Sequence, residues 1–403
     1  MGQWQSKRLE EICEMKYGKM PRKEDLVEEG YPVFSGYGIV GRHKRYLYTT
    51  PEIAVVARGI GGCGDIKMTP PHSFVTNIAI VLKLISPEVH KKFLFYRLTS
   101  TTLRSLNTGS AQPQIIIADL KNYVVEVPPL PTQHKIASIL STYDELIENN
   151  TRRIKILEEM AQSIYREWFV NFRYPEHEKF KMVDSPLGMI PEGWEFQRLD
   201  KLCSSVLDGD WIETKDQGGE AYRLLQISNI GLGDFVETGK FRYVTQETFD
   251  RLRCTEIQPD DLLIARMPTP IGRGWLVRKM PWRMITAVDV AIARPDRRRI
   301  SPVFLLYFWN QPSTLAAIEK QSSGTTRLRI TRRQLCDMLI PTPSHYIQEE
   351  FSAKTGPMLD LPNILRDKNT TLRKTRDLLL PRLISGEIDV TDLDIQVPEE
   401  LSQ

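Results

Sequence analysis

The stretch that decides the fold is TQHKIASILSTYDELIENNTRRIKILEEMAQSIYREWFVNF, residues 132–172, which contains neither proline nor glycine. Apolar and aromatic residues recur along it in alternating steps of four and three over more than four heptads, the seam pattern of a coiled coil. The predicted seam residues are Ile136, Leu140, Tyr143, Ile147, Asn150, Ile154 and Leu157. The stretch therefore predicts a helix roughly 60 Å long, and this length disfavours the alternative of a bundle inside one small domain.

A second helix of the same kind is predicted 218 residues further along the chain. Its seam residues are Leu365, Lys368, Leu372 and Leu379. Lys368 then corresponds to Asn150, and a polar residue at a seam position commonly fixes the register of two helices. Gly356, Pro357 and Pro362 predict a break or a kink near the start of this second helix.

The segments that precede the two helices also repeat each other. In each, an apolar strand runs into an Ala-Arg pair followed by glycines, at Arg58 and at Arg266. Residues 109–115 match residues 324–330, and a Pro-rich stretch closes each segment. We therefore predict an α+β fold in which two tandem α/β domains are separated by two long antiparallel coiled-coil helices, with a pseudo-twofold internal repeat.

The net charge differs between the globular domains and the helical segments. The chain has 403 residues and a net charge of +3, yet residues 1–131 carry +5 and residues 194–343 carry +4, whereas both helical segments are acidic. Basic globular domains suggest a polyanionic partner, most often a nucleic acid. The predicted boundaries are 1–131 for the first domain, 132–175 for the central helix, 176–193 for a linker, 194–343 for the second domain, 344–390 for the C-terminal helix and 391–403 for a tail.

Several functional classes are disfavoured by missing patterns. The five cysteines form no CxxC pair and the six histidines show no metal-ligand spacing, so we predict no metal site and a reducing, cytoplasmic location. No apolar run is long enough to cross a membrane, and the polar N-terminus does not resemble a signal peptide. There is no phosphate-binding GxxxxGK[ST] loop and no GxSxG elbow, so no catalytic residue is predicted.

Basic loops with interleaved aromatic residues are the candidate binding elements. Lys and Arg neutralise phosphates, and Arg, Asn and Gln can read base edges through paired hydrogen bonds. For Arg58 and Arg266, an internal role beside a buried carboxylate is an equally good interpretation. The candidate DNA contacts are Arg42, Lys44, Arg45, Arg58, Ser110, Gln112, Gln114, Arg266, Arg273, Thr326, Arg327 and Arg329.

Taken in order, these features resemble the specificity subunits of Type I restriction–modification systems. The resemblance rests on the tandem domains, on the helix that follows each, and on four stretches. These are Val127–Gln133, Ile340–Pro343, Asp184–Trp194 and Leu378–Ile388. It covers nearly the whole chain.

The resemblance implies two target-recognition domains, each reading one half of a split, asymmetric site in double-stranded DNA. It also implies that the helices hold two methyltransferase subunits and set the spacing of the half-sites, and that two restriction subunits can join the complex. This chain would be non-catalytic and bind no cofactor, while the partners use S-adenosylmethionine, Mg²⁺ and ATP for N6-adenine methylation and for cleavage. The alternative is a scaffold whose duplicated domains bind proteins and make no direct contact with DNA.

Overall fold

The structure is a computed structural model, and it describes residues 4–107, 113–185, 188–324 and 327–398. The chain divides into two compact units. Unit 1 combines two separate stretches, Met1–Asn150 and Asp367–Gln403, whereas unit 2 is the single stretch Thr151–Arg366. Each unit contains one globular domain and one part of each long helix.

Within its described residues, the globular domain of unit 1 has ten strands and three short α-helices. The strands are β1 (Gln5–Arg8), β2 (Cys13–Tyr17), β3 (Leu26–Val27), β4 (Tyr31–Phe34), β5 (Ile39–His43), β6 (Ile53–Val56), β7 (Ile66–Met68), β8 (Phe74–Val75), β9 (Ala79–Leu84) and β10 (Val124–Val127). The helices are α1 (Leu9–Ile12), α2 (Lys91–Thr99) and α3 (Ile117–Lys121).

An antiparallel sheet of order β2-β9-β6-β7 forms the centre of unit 1. A second sheet has the order β3-β5-β4-β8, and β1 pairs with β10. Successive side chains of a strand point to opposite faces of its sheet. Ile53 and Val55 therefore enter the main core with Phe93 of α2, whereas Ala54 enters a smaller cluster with Phe34. All four residues of β6 are buried for this reason, which explains its continuous apolar sequence.

In the part of unit 2 that the structure describes, the globular domain has eleven strands and five short α-helices. Its strands are β11 (Met182–Ser185), β12 (Gly188–Pro191), β13 (Glu195–Arg198), β14 (Cys203–Asp208), β15 (Tyr222–Leu225), β16 (Tyr243–Val244), β17 (Leu262–Ala265), β18 (Gly274–Leu276), β19 (Met284–Thr286), β20 (Val290–Pro295) and β21 (Leu339–Thr342). Its helices are α5 (Leu199–Leu202), α6 (Gln246–Leu252), α7 (Pro302–Trp309), α8 (Pro312–Gln321) and α9 (Arg332–Cys336).

The central sheet of unit 2 repeats that of unit 1. Its order is β14-β20-β17-β18, antiparallel throughout, and β13 pairs with β21 just as β1 pairs with β10. The fold class and the internal repeat predicted from the sequence are therefore confirmed. The segment 176–193, predicted as a linker, contains a hairpin of β11 and β12.

The central long helix, α4, spans Leu130–Tyr165 and is followed by a π-helical turn, Arg166–Val170. The C-terminal long helix, α10, spans His345–Ile384 without interruption. The predicted break at Pro357 and Pro362 is therefore wrong. Phe351 and Leu365 of this helix are buried in unit 2, and such packing compensates for the missing proline N–H groups. In the described parts of the chain, no helix is long and apolar enough to cross a membrane.

Within unit 1, the first part of α4 packs against the last part of α10. Asn150 contacts Asn369, and Asp144 contacts Arg376, so the two helices run antiparallel. Ile136, Leu140 and Ile147 are buried, and Tyr143, Leu372 and Leu379 are half-buried, as expected of seam residues. Within unit 2, Ile154 and Leu365 are buried and Leu157 is half-buried.

Lys368 does not occupy the seam position predicted for it. Its side chain is exposed, and the neighbouring Asn369 is buried instead. Burying an unpaired ammonium group costs far more free energy than burying an amide that finds a partner. Asn369 therefore takes the buried polar position predicted for Lys368, while Leu365, Leu372 and Leu379 keep their predicted seam positions.

Candidate nucleic-acid interface

Four segments of unit 1 meet at one end of its central sheet. The N–H of Gly18 donates to Ala79 O at 3.0 Å, and the N–H of Ala57 donates to Ile78 O at 2.7 Å. The N–H of Ile115 donates to Ala57 O at 2.9 Å, which brings a fourth segment to the same place. We call residues 17–20, 57–64, 76–78 and 113–115 the loop edge of unit 1.

Arg58 lies on this loop edge with its side chain exposed. It forms an isolated β-bridge with Gln114, and the hydroxyl of Tyr37 donates to Arg58 O at 2.7 Å. The ring of Tyr37 lies against Gly59 and Gly62, because a Cβ at Gly62 would stand 2.8 Å from a ring carbon. An exposed cation, an amide and an aromatic ring thus share one surface. The predicted contacts Ser110 and Gln112 lie outside the described residues.

The other basic candidates of unit 1 are exposed but lie apart from Arg58. Strand β5 runs away from the turn that carries Tyr37, and Lys44 and Arg45 follow its far end. Arg42 donates to Gly30 O at 3.1 Å, and the ammonium of Lys44 donates to Glu24 O at 2.7 Å. The structure therefore separates these cations from the loop edge.

The equivalent surface of unit 2 is built by the same backbone bonds. The N–H of Gly209 donates to Val290 O at 2.9 Å, and that of Arg266 donates to Asp289 O at 2.9 Å. The N–H of Ile330 donates to Arg266 O at 3.1 Å. We call residues 208–211, 266–272, 287–289 and 327–330 the loop edge of unit 2.

Arg266 therefore takes the backbone place of Ala57, not that of Arg58. The carbonyl groups of Ala57 and Arg266 accept from Ile115 and Ile330, which are themselves matched in the repeat. The predicted equivalence of Arg58 and Arg266 is wrong by one residue. A side chain one position along a strand points to the opposite face, so Arg58 is exposed and Arg266 is not.

Arg266 is an internal residue, only 7% exposed. Its guanidinium pairs with Asp208, donates to Ile330 O at 3.0 Å and donates to Val288 O at 3.3 Å. Burial lowers the pKa of this guanidinium from its ordinary value, although the Asp208 carboxylate acts in the opposite direction. Of the two interpretations of Arg266, the structure favours the internal one over a DNA contact.

Arg273 is also internal, at 8% exposed. Its guanidinium donates to four carbonyl groups of nearby loops, and burial lowers its pKa. The acceptors are Ile227 O at 2.9 Å, Ile230 O at 2.6 Å, Met267 O at 3.1 Å and Pro270 O at 2.9 Å. With its donors engaged, Arg273 is not available to DNA, so this prediction is corrected.

The accessible cations at the second loop edge come from the segment before α9 and from the first residue of that helix. Arg327 is exposed, and Arg329 is half-buried and lies 3.1 Å from Asp289. Arg332, which the sequence analysis missed, is exposed and lies 3.4 Å from Asp208. Thr326 lies outside the described residues. This edge therefore mixes arginines with carboxylates, unlike the edge around Arg58.

No group of three or more His, Cys, Asp or Glu side chains that could hold a metal ion occurs in the parts of the chain that the structure describes.

Comparison with known proteins gives a consistent picture. Residues 1–159 match the family described as Type I restriction modification DNA specificity domain. The chain is 23% identical over 311 residues to the Type I restriction enzyme MjaIX specificity subunit of Methanocaldococcus jannaschii, covering 76% of this chain and 71% of that protein. It is 25% identical over 313 residues to the MjaVIII specificity subunit of the same organism, with 75% and 71% covered.

Among solved structures, the S subunit of a Type I restriction–modification system from M. genitalium is similar, with a TM-score of 0.69. The identity is 18%, and the match covers 95% of this chain and 96% of that one. At this level of identity the match shows a shared fold.

Proposed function

Because the chain belongs to the specificity-subunit family of Type I restriction–modification systems, we propose that it selects the DNA sequence on which a multisubunit N6-adenine methyltransferase acts. One observation carries the proposal. The two units repeat one fold, yet their equivalent loop edges present different polar side chains. Two domains with the same fold and different side chains at the binding surface suit a split, asymmetric site in double-stranded DNA.

Each unit would read one half-site. In unit 1, Arg58 and Gln114 would contact base edges, where Arg pairs with guanine and Gln with adenine. Arg42, Lys44 and Arg45 are exposed cations suited to phosphates, which position a protein without reading sequence. In unit 2, Arg327 and Arg329 are the corresponding candidates. Ser110, Gln112 and Thr326 remain predicted contacts.

The two long helices would hold the two methyltransferase subunits and set the spacing of the half-sites. Helix α4 has 36 residues and α10 has 40, so each is roughly 55–60 Å long. Half-sites on one face of a duplex lie about 34 Å apart. Ile156, Ile364 and Leu378 leave large apolar side chains exposed on these helices, as a surface for protein partners requires.

Catalysis would then belong to the partners. S-adenosylmethionine would bind the methyltransferase subunits, and Mg²⁺ and ATP would serve restriction subunits where these join the complex. This chain would contribute binding, register and choice of sequence, in the cytoplasm where chromosomal DNA is present.

The experiment is co-expression with the cognate methyltransferase subunit, followed by mapping of N6-methyladenine across the host genome. We expect two short sequence blocks separated by a fixed gap of several base pairs, modified only when this chain is present. An intact complex that adds no methylation would contradict the proposal and favour the protein-binding scaffold. Binding of the complex to the mapped duplex should also fall steeply with salt, because phosphate contacts release counterions.

A further inference from the structure

Two apolar side chains protrude from equivalent places in the two units. Met20 is 74% exposed in unit 1, and Trp211 is 72% exposed in unit 2. A tryptophan is usually well buried, so an exposure of this size at a loop edge requires an explanation. Each residue follows an edge strand of its central sheet, which is β2 in unit 1 and β14 in unit 2.

The backbone shows that the two places are the same. In unit 1, the N–H of Lys19 donates to Val75 O at 2.9 Å. In unit 2, the N–H of Asp210 donates to Thr286 O at 2.8 Å. Since β8 and β19 are the equivalent strands that supply these acceptors, Met20 and Trp211 stand one residue beyond the same anchor.

A glycine makes each of these turns possible. A Cβ at Gly18 would stand 2.3 Å from Thr76 O, and a Cβ at Gly209 would stand 2.2 Å from Ala287 O. The backbone of the turn is thus pressed against the neighbouring segment in both units. The same tight turn is kept in both domains, while the side chain that it presents differs.

We propose that Met20 and Trp211 are specificity-determining residues, each contacting a base of the half-site that its unit reads. This inference rests on the proposed function and names side chains that act in it. An indole can stack on a base or wedge between base steps, and a thioether is flexible enough to pack on a thymine methyl group. Different apolar side chains at the equivalent position of each unit suit two half-sites of different sequence.

The surroundings of Trp211 suit a base. The Glu213 carboxylate, two residues further on, lies 2.8 Å from the Lys215 ammonium, which lowers the pKa of that carboxyl. The carboxylate can also accept a hydrogen bond from a cytosine amino group. Because the side chain of Trp211 is 72% exposed, its ring is open to stack on a base.

The test uses the full complex with its methyltransferase and a duplex that carries the site mapped for the wild type. Trp211→Ala should weaken binding about tenfold, a typical effect of losing one stacked base. The loss should disappear when the second half-site is scrambled in the duplex and persist when the first is scrambled. Met20→Ala should show the converse dependence, and Met20→Trp should change the base preference within the first half-site only.

Met189→Ala is the matched control, because Met189 is an exposed apolar residue of unit 2 on the β11–β12 hairpin. It should bind like the wild type. Wild-type affinity and base preference in both Trp211→Ala and Met20→Ala would overturn the inference and leave the proposed function intact. Loss of the methyltransferase from a variant that still binds DNA would also overturn it, since the side chain would then serve a protein partner. A wild-type complex that binds no DNA would overturn both.

Discussion

The side-chain amides of Asn150 and Asn369 meet between the two long helices of unit 1, with Nδ2 of Asn150 2.9 Å from Oδ1 of Asn369. Asn369 is buried, and its own Nδ2 donates to Ile147 O at 3.3 Å. A buried polar pair of this kind penalises any slip of one helix along the other, because a slip would leave amide groups without partners.

Asn369→Leu should destabilise the protein by about 1–3 kcal/mol, because the amide of Asn150 loses its partner in a buried setting. Replacing both residues by leucine should recover most of this free energy. Urea unfolding of the single and double variants, treated as a double-mutant cycle, measures the coupling. Additive effects of the two substitutions would mean that the amides do not stabilise each other.

Arg58→Ala should weaken recognition of the first half-site by about 1–3 kcal/mol, the usual value of a base contact by arginine. Since the side chain is exposed, the thermal midpoint should not change. Binding to duplexes with either half-site scrambled provides the measurement. Arg42→Ala is the control, and it should weaken binding to all sequences uniformly, as a phosphate contact does. Equal loss at both half-sites in Arg58→Ala would refute the assignment.

Arg266→Ala should reduce stability by about 2 kcal/mol, since it removes hydrogen bonds inside unit 2 and leaves Asp208 without its buried partner. Arg332→Ala removes the exposed partner of the same carboxylate and should cost less than about 1 kcal/mol. Denaturant unfolding compares the two. A fully stable Arg266→Ala protein with impaired DNA binding would restore the interpretation of Arg266 as a DNA contact.

Asp210→Asn should stabilise unit 2 at neutral pH. Burial raises the pKa of the Asp210 carboxyl to about 6, although hydrogen bonds from the Thr255 N–H act against this. A raised folded-state pKa means that the protonated form is favoured by folding, so this contribution is complete below about pH 4 and is lost as pH rises through about 6. The variant should therefore gain stability over the wild type at pH 7 and not at pH 4.

Unfolding midpoints at the two pH values test this expectation. Glu220→Gln, at an exposed residue of the same unit, is the matched control and should show no such pH-dependent difference. An Asp210→Asn protein with the same gain at both pH values would show that titration of Asp210 is not the cause.

The sequence predicted the long helices and the repeat well because both depend on patterns extending over many residues. The seam of α4 involves more than four heptads, so an error at one position changes little. The break predicted in α10 failed because it used only the local preference of Pro357 and Pro362, whereas buried Phe351 and Leu365 hold the helix together.

Positions within the site were predicted less well, because a shift of one residue reverses which way a side chain points. In the sequence, the Ala-Arg pairs align Arg266 with Arg58. In the structure, the backbone hydrogen bonds from Ile115 and Ile330 align Arg266 with Ala57. On helix α10 one residue turns the side chain by about 100°, and the sequence predicted Lys368 at the buried position that Asn369 occupies. Only burial and hydrogen bonding, which need the three-dimensional structure, distinguish the two alternatives.

Unit 1 is assembled from parts that the ribosome makes far apart in time. Leu383, Ile384 and Val390 complete the core around Ile136 and Leu140, but they follow the first stretch of unit 1 by more than 200 residues. At translation rates of about 5–20 residues per second, the apolar face of the first stretch stays without these partners for roughly 10–50 s. The contiguous unit 2 is synthesised in full during that interval. The unit that is begun first is thus completed last, and its unfinished core must be kept from aggregation while unit 2 folds.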